Sequence, residues 1–187
     1  MIRRTLIRPL RTAVFVAALV AVMPGTAYAA TSGTVTITGG TLTLTPPATV
    51  AFSATLNGTD QDVTAPQALD VWDDTGSGAG WNITATSTSF TTGSQTMSAF
   101  AVTILSSPTV VLDAGAGTGT LAVTDVSFPY TLPAASVAPT ATKLFNATAG
   151  SGMGHETATA TMHLAVPRTA FAGVYTSDWR YSLVSAP

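Results

Sequence analysis

The chain has 187 residues, no cysteine, and a charged fraction of only 9%. The lack of cysteine excludes a disulfide framework, a thiol nucleophile and a thiolate metal site. Four of its seven cations are arginines within the first eleven residues, and the three that remain are too few to neutralise a nucleic-acid backbone.

The first segment, residues 1–29, is predicted to be a secretory signal peptide. An arginine-rich start precedes the apolar run Ala13–Val22, which is too short to span a bilayer. Ala27-Tyr28-Ala29 then supplies the small-x-small pattern that signal peptidases cleave. Cleavage after Ala29 leaves residues 30–187 with three cations and nine acids, a net charge of −6. We therefore predict a secreted chain with no membrane span in its mature form and little affinity for anionic membranes.

Residues 30–187 are predicted to form one all-β domain, a single compact β-sandwich, Ig-like or barrel-like, of roughly nine short strands. Threonine alternates with Val, Ile, Leu or Ala along most of this region, as in half-buried strands. Three prolines in residues 128–139 indicate a surface crossing instead of a central strand. The candidate strands are 34–45 (with a turn or bulge at Gly39-Gly40), 50–56, 69–73, 81–90, 97–105, 109–112, 121–126, 143–147, 157–166 and 175–184.

The Gly-rich segment after Trp72 begins with two acids, Asp73 and Asp74, and continues Thr-Gly-Ser-Gly. Acids alternating with glycines and hydroxyls can wrap a calcium ion, but the EF-hand spacing and its closing Glu are missing. An Asx-assisted turn between two strands is the favoured interpretation. We predict no metal site and no cofactor, at this turn or elsewhere in the protein.

Catalytic chemistry has few candidates in this sequence. His155-Glu156 begins like a zinc-helix motif, but the next histidine, His163, lies eight residues on, in a strand-like pattern. Two histidines at an even spacing share one strand face, which would permit metal binding, although a solvated polar face is the favoured interpretation. No serine lies in a nucleophile elbow, and spacing cannot select a carboxylate pair for glycoside hydrolysis. We predict a non-enzymatic protein.

The aromatic residues are the remaining signal. Strand phase places Trp81, Ile83, Ala85 and Ser87 on one face, so Trp81 lies on the apolar side and is expected to be at least partly buried. In the last strand, one face collects four large side chains, which either close the core or form a binding surface: Tyr175, Trp179, Tyr181 and Leu183.

Two motifs resemble those of the WxL domain family. The first is an Asp-containing Gly-rich turn followed by Gly80-Trp81-Asn82-Ile83, with isoleucine at the family's leucine position. The second lies at the chain's end, where Tyr181-Ser182-Leu183 stands at the family's Trp-x-Leu position and Trp179 falls two residues earlier. The opening Gly39-Gly40-Thr41-Leu42 is similar to the family's first strand.

The resemblance implies a secreted protein on the surface of Gram-positive bacteria, attached non-covalently to peptidoglycan or another wall glycan, often beside a co-encoded surface protein. We therefore predict non-catalytic cell-wall association. The alternative is a structural subunit that assembles with itself or such a partner by β-strand addition, because its edges carry few lysines. The predicted ligand-binding residues are Trp81, Asn82, Ile83, Trp179, Tyr181, Leu183, Asp73 and Asp74.

Overall fold

The computed structural model describes residues 31–98, 101–115 and 119–185. The predicted signal peptide therefore lies outside the described residues. Contacts divide the chain into Met1–Thr36 and Ile37–Pro187, and all strands of the described residues belong to the second unit. In the described part of the chain, no helix is long and apolar enough to cross a membrane.

The second unit is all-β, and its described residues contain no helix. Its strands form two sheets, neither closed into a barrel, which confirms the predicted β-sandwich. There are ten strands in the described residues: β1 (Leu42–Thr45), β2 (Gln61–Asp73), β3 (Trp81–Thr88), β4 (Val102–Ile104), β5 (Thr109–Leu112), β6 (Tyr130–Thr131), β7 (Ala134–Ala135), β8 (Thr142–Ala147), β9 (Gly154–Val166) and β10 (Trp179–Ser185).

The larger sheet has six strands and is organised around β2 and β9. Its order is β1-β2-β9-β4-β6, and β5 pairs with β9 on the same side as β4. The antiparallel β2–β9 ladder runs without a break from Gln61 opposite Val166 to Asp73 opposite Gly154. Pro66 is tolerated inside β2 because β1 covers only the end of that strand, so Pro66 has a single neighbouring strand.

The two faces of the larger sheet differ in polarity, as alternation along β2 and β9 dictates. The inner face buries Leu69 and Val71 from β2, and Ala158, Ala160 and Met162 from β9. The outer face carries mostly polar or small side chains, with Trp72 and Val111 as exposed apolar ones. They come from β2, β9, β5 and the residue after β5: Asp62, Thr64, Ala68, Asp70, Trp72, His155, Thr157, Thr159, Thr161, His163, Thr109, Val111 and Asp113.

The smaller sheet places β3 between β10 on one side and β8 and β7 on the other. Trp81, Ile83 and Ala85 of β3 are fully buried, which confirms the predicted strand phase. They join Phe145 of β8 and the inner face of the larger sheet in one hydrophobic core.

In the described residues, two predicted strands and the first half of a third have no partner backbone and are irregular; the second half of the predicted strand 34–45 forms β1. Residues 34–38 are not a strand: Val35 and Ile37 are exposed, and pairing begins only where Gly40 N–H donates to Asp74 O. Residues 50–56 are also irregular. The Phe52 ring packs against the Phe90 ring, but the backbone of this segment pairs with no strand.

The other irregular segment, residues 121–126, has its N–H groups satisfied by side chains. Ala122 N–H donates to Glu156, Val123 N–H to Ser151, and Asp125 N–H to Asn146. A period-two pattern shows compatibility with a strand, but only a neighbouring backbone makes one.

Candidate functional site

The first WxL-like motif lies inside the protein. Trp81 has no exposed surface, and its indole Nε1–H donates to Gly152 O at 2.9 Å. Ile83 is equally buried, and Asn82 is only 8% exposed. Asn82 lies opposite Asn146 of β8 on one side and Val184 of β10 on the other. Gly152 has φ +67°, and a Cβ there would lie 2.8 Å from the Trp81 nitrogen, so the turn fits tightly over the ring. These three predicted ligand-binding residues present almost no surface to a ligand.

The second motif closes the core instead of forming a free surface. Trp179, Tyr181 and Leu183 are half-buried on the inner side of β10, opposite Ser87, Ala85 and Ile83 of β3. The Trp179 ring lies against Phe52 and Phe90, with centroids 6.4 Å away in each case.

Tyr181 is held by a polar contact inside the sandwich. Its hydroxyl accepts a hydrogen bond from the Nε2 of the buried Gln67 of β2. Burial raises the pKa of the Tyr181 hydroxyl to about 12, and the Gln67 bond opposes that change. Tyr181 therefore ties the smaller sheet to the larger one.

The Gly-rich turn is an Asx-assisted turn, as predicted. The buried Asp73 accepts hydrogen bonds at Oδ1 from the N–H and the hydroxyl of Thr75, at 3.1 and 2.6 Å. Gly76 and Gly78 both have φ +64°, a backbone conformation that favours glycine. Asp74 is exposed, and its backbone pairs with Gly40 and Thr41.

A different tryptophan, Trp72, is the exposed one on the outer face of the larger sheet. Its side chain follows Val71 in β2, points away from the core and is 44% exposed. It lies directly opposite His155 of β9, and the two rings stack with centroids 3.8 Å apart and planes 26° from parallel. The outer face therefore carries one stacked aromatic pair with the Trp72 ring partly exposed.

Two carboxylate groups contact the same nitrogen of His155. His155 Nε2 lies 2.6 Å from Asp70 Oδ1 and 2.7 Å from Asp113 Oδ2. Asp113 is fixed beside His155 because its N–H donates to the His155 carbonyl, and its two carboxylate oxygens accept from the Thr157 hydroxyl at 3.0 Å. We call Trp72, Asp70, Asp113 and His155 the His155 cluster. The possible ligand atoms of Asp70, Asp113 and His155 lie within 4.8 Å of one another.

The second histidine lies on the same face but far along the strand. His163 Nδ1 contacts one carboxylate, Asp62 Oδ2, at 2.7 Å. The shared strand face predicted for the two histidines is confirmed. Eight residues of strand separate them by about 27 Å, so one ion cannot bridge them.

A buried carboxyl group lies behind the cluster on the inner face of β9. Glu156 is 1% exposed; its Oε2 accepts from Ala122 N–H at 2.9 Å, and its Oε1 has no hydrogen-bond partner in the described residues. Burial raises the pKa of Glu156 to about 7, the Ala122 bond opposes this, and the charges of Asp113 and Asp73 add to it.

An apolar cleft of about 520 Å³ lies elsewhere on the unit, between the irregular segment 50–56 and residues 170–175. Phe52, Phe90 and Phe171 line it, and Phe171 is 64% exposed. None of the residues of the His155 cluster contributes to this cleft.

The predicted site residues thus come together mainly in the core, and the exposed cluster was missed. Strand phase contained the signal for it: Asp70 and Trp72 alternate with Leu69 and Val71 in β2. What the pattern could not supply was the pairing of β5 with β9, which brings Asp113 to His155.

No protein-family model matches the chain, and no curated protein or solved structure is significantly similar to it.

Proposed function

We propose that the protein is a non-catalytic, secreted domain that associates with the bacterial cell wall by binding its glycan. The proposal starts from the resemblance of the motifs around Trp81 and Tyr181 to the WxL domain family, whose members attach non-covalently to peptidoglycan. Because the motif residues lie largely in the core, we place the contact surface elsewhere, on the outer face of the larger sheet around Trp72.

The exposed Trp72 indole is the single observation that carries this placement. An exposed aromatic ring can stack on the CH face of a sugar, and the polar groups around the ring can hydrogen-bond the sugar hydroxyls. Asp70 and Asp113 supply carboxylate acceptors at the edge of the ring pair, and Thr157 and Thr159 supply hydroxyls along the next rows of β9. A sheet face built on two 13-residue strands also suits a linear polymer better than a closed pocket would.

Sedimentation with purified peptidoglycan tests the proposal. The mature chain, residues 30–187, is expected to pellet with the insoluble wall material, and Trp72→Ala is expected to lower the bound fraction at least tenfold. We expect this loss because the variant lacks the indole ring on which the sugar would stack, while the buried core is unchanged.

Phe171→Ala provides the matched control, because it removes another exposed aromatic ring, at the cleft. This variant is expected to sediment like the wild type. Loss of binding in Phe171→Ala with retention in Trp72→Ala would move the contact to the cleft, and a wild-type protein that stays in the supernatant would refute wall association.

The second candidate function is assembly by β-strand addition, and the position of β10 favours it. Among the described residues β10 ends the path of the smaller sheet, paired only with β3, and its sequence contains Arg180 but no lysine. An edge strand with no lysine and no hydrogen-bonded second neighbour can accept a strand from another chain.

Self-association should then depend on that edge. Val184→Lys places a charge on β10, where Val184 is half-exposed, and is expected to convert oligomers to monomers in light scattering after size exclusion. Val137→Lys, at an exposed site outside β10, is the control and should change nothing. A wild-type protein that is monomeric at every concentration would argue against self-assembly.

A further inference from the structure

We infer that Asp70, Asp113 and His155 form a binding site for a first-row divalent metal ion, with Zn²⁺ as the representative ion. The three residues come from β2, from the residue following β5, and from β9. Their donor set is one imidazole nitrogen and two carboxylate oxygens, a mixture that such ions accept.

His155 Nε2 has more carboxylate neighbours than one hydrogen can serve, which points to a bound cation. A ring nitrogen carries at most one hydrogen, yet two carboxylate oxygens lie 2.6 and 2.7 Å from the same Nε2. One proton cannot make a straight hydrogen bond to both oxygens at once. A metal ion at the meeting point would take one lone pair from each of the three atoms.

The charge balance points the same way. In the described part of the chain, neither Asp70 nor Asp113 forms a salt bridge with a lysine or arginine; their ionic partner is His155. Thr157 donates to Asp113 but contributes no charge. Two adjacent carboxylates with one imidazole therefore form a site that a divalent cation neutralises.

The geometry requires only a small adjustment. Ligands at about 2.1 Å from a tetrahedral ion lie about 3.4 Å from one another, against 2.6 and 2.7 Å for the two N···O distances here. The Asp70 and Asp113 side chains are 37% and 28% exposed, so both can move outward by this small distance without disturbing the core. Because either carboxylate oxygen of Asp113 can accept from the Thr157 hydroxyl, one oxygen can bind the ion while the other keeps that hydrogen bond. The exposure of the two carboxylates also leaves the fourth coordination position open to solvent or to a ligand hydroxyl.

The test uses the mature protein, freed of metal with a chelator, and Zn²⁺ alone. Isothermal titration is expected to show one equivalent bound, with affinity reduced at least tenfold in Asp113→Asn and in His155→Ala. Asp113→Asn keeps the shape of the side chain, so its folding can be verified by the same thermal transition as the wild type. Because no wall material is present, the outcome is independent of the wall-binding proposal.

His163→Ala is the matched control, since it removes the other histidine of the same strand face, which has a single carboxylate partner. It is expected to bind Zn²⁺ like the wild type. Trp72 offers a second readout: Co²⁺ held by His155 should quench its fluorescence, because the rings stack at 3.8 Å. Absence of Zn²⁺ binding in the wild type, or its loss in His163→Ala with retention in Asp113→Asn, would overturn the site.

Discussion

Replacing Trp81 with alanine is expected to lower the free energy of unfolding by about 3–5 kcal/mol, the range for large aromatic-to-alanine changes in cores. The ring is fully buried, lies 5.9 Å from Phe145 between ring centroids, and donates its N–H to Gly152. Alanine would leave a cavity and also strip the buried Gly152 carbonyl of its donor.

Chemical denaturation of the purified variant measures this loss. Trp72→Ala is the control, because Trp72 is partly exposed on the outer face, and its removal should cost no more than about 1 kcal/mol. A Trp81→Ala protein that kept wild-type stability but no longer sedimented with peptidoglycan would show that Trp81 is a contact residue and would refute its structural role.

Stability is expected to fall as the pH rises from about 4.5 to about 7 through the ionisation of Glu156. The folded-state pKa is raised above the ordinary value, so the folded protein binds more protons than the unfolded chain across that interval. The contribution of Glu156 is therefore greatest below the ordinary pKa and is lost on approaching the raised one. Its size is on the order of 3 kcal/mol.

Glu156→Gln isolates this effect, since glutamine keeps the shape and cannot ionise. The difference in unfolding free energy between wild type and variant should change in favour of the variant as the pH increases from about 4.5 to about 7. The measurement is made with a chelator present, so that an ion at the neighbouring Asp113 and His155 cannot contribute. Parallel stability profiles for the two proteins would contradict the raised pKa of Glu156.

Strand phase was the most successful part of the sequence prediction. The all-β class, the buried side of Trp81 and the Asx turn at Asp73 all follow from alternation and local turn chemistry, and the structure confirms them. Those features depend on neighbours within a few residues, which a sequence displays directly.

Pairing between distant strands could not be predicted in the same way. Residues 121–126 alternate like a strand, but the side chains of Glu156, Ser151 and Asn146 take the place of a partner backbone. The same limitation hid the His155 cluster, because Asp113 reaches His155 only through the register of β5 on β9.

The core tryptophans Trp81 and Trp179 and the exposed Trp72 have different surroundings. Trp81 and Trp179 pack in the sandwich, with their indole N–H groups bonded to Gly152 O and Ser177 Oγ. Trp72 stands on the outer face, stacked on His155. The residues of the two motifs thus belong to the framework of the domain, and we propose that wall binding is a property of the outer face of the larger sheet.

The three tryptophans allow one direct measurement of that proposal. Each gives a separate indole N–H signal in a nitrogen–proton correlation spectrum, which can be followed while soluble peptidoglycan fragments are added. We expect the Trp72 signal to shift with the fragment concentration while those of Trp81 and Trp179 stay in place. A shift of the Trp81 or Trp179 signal with Trp72 unchanged, or no shift in any of the three, would contradict it.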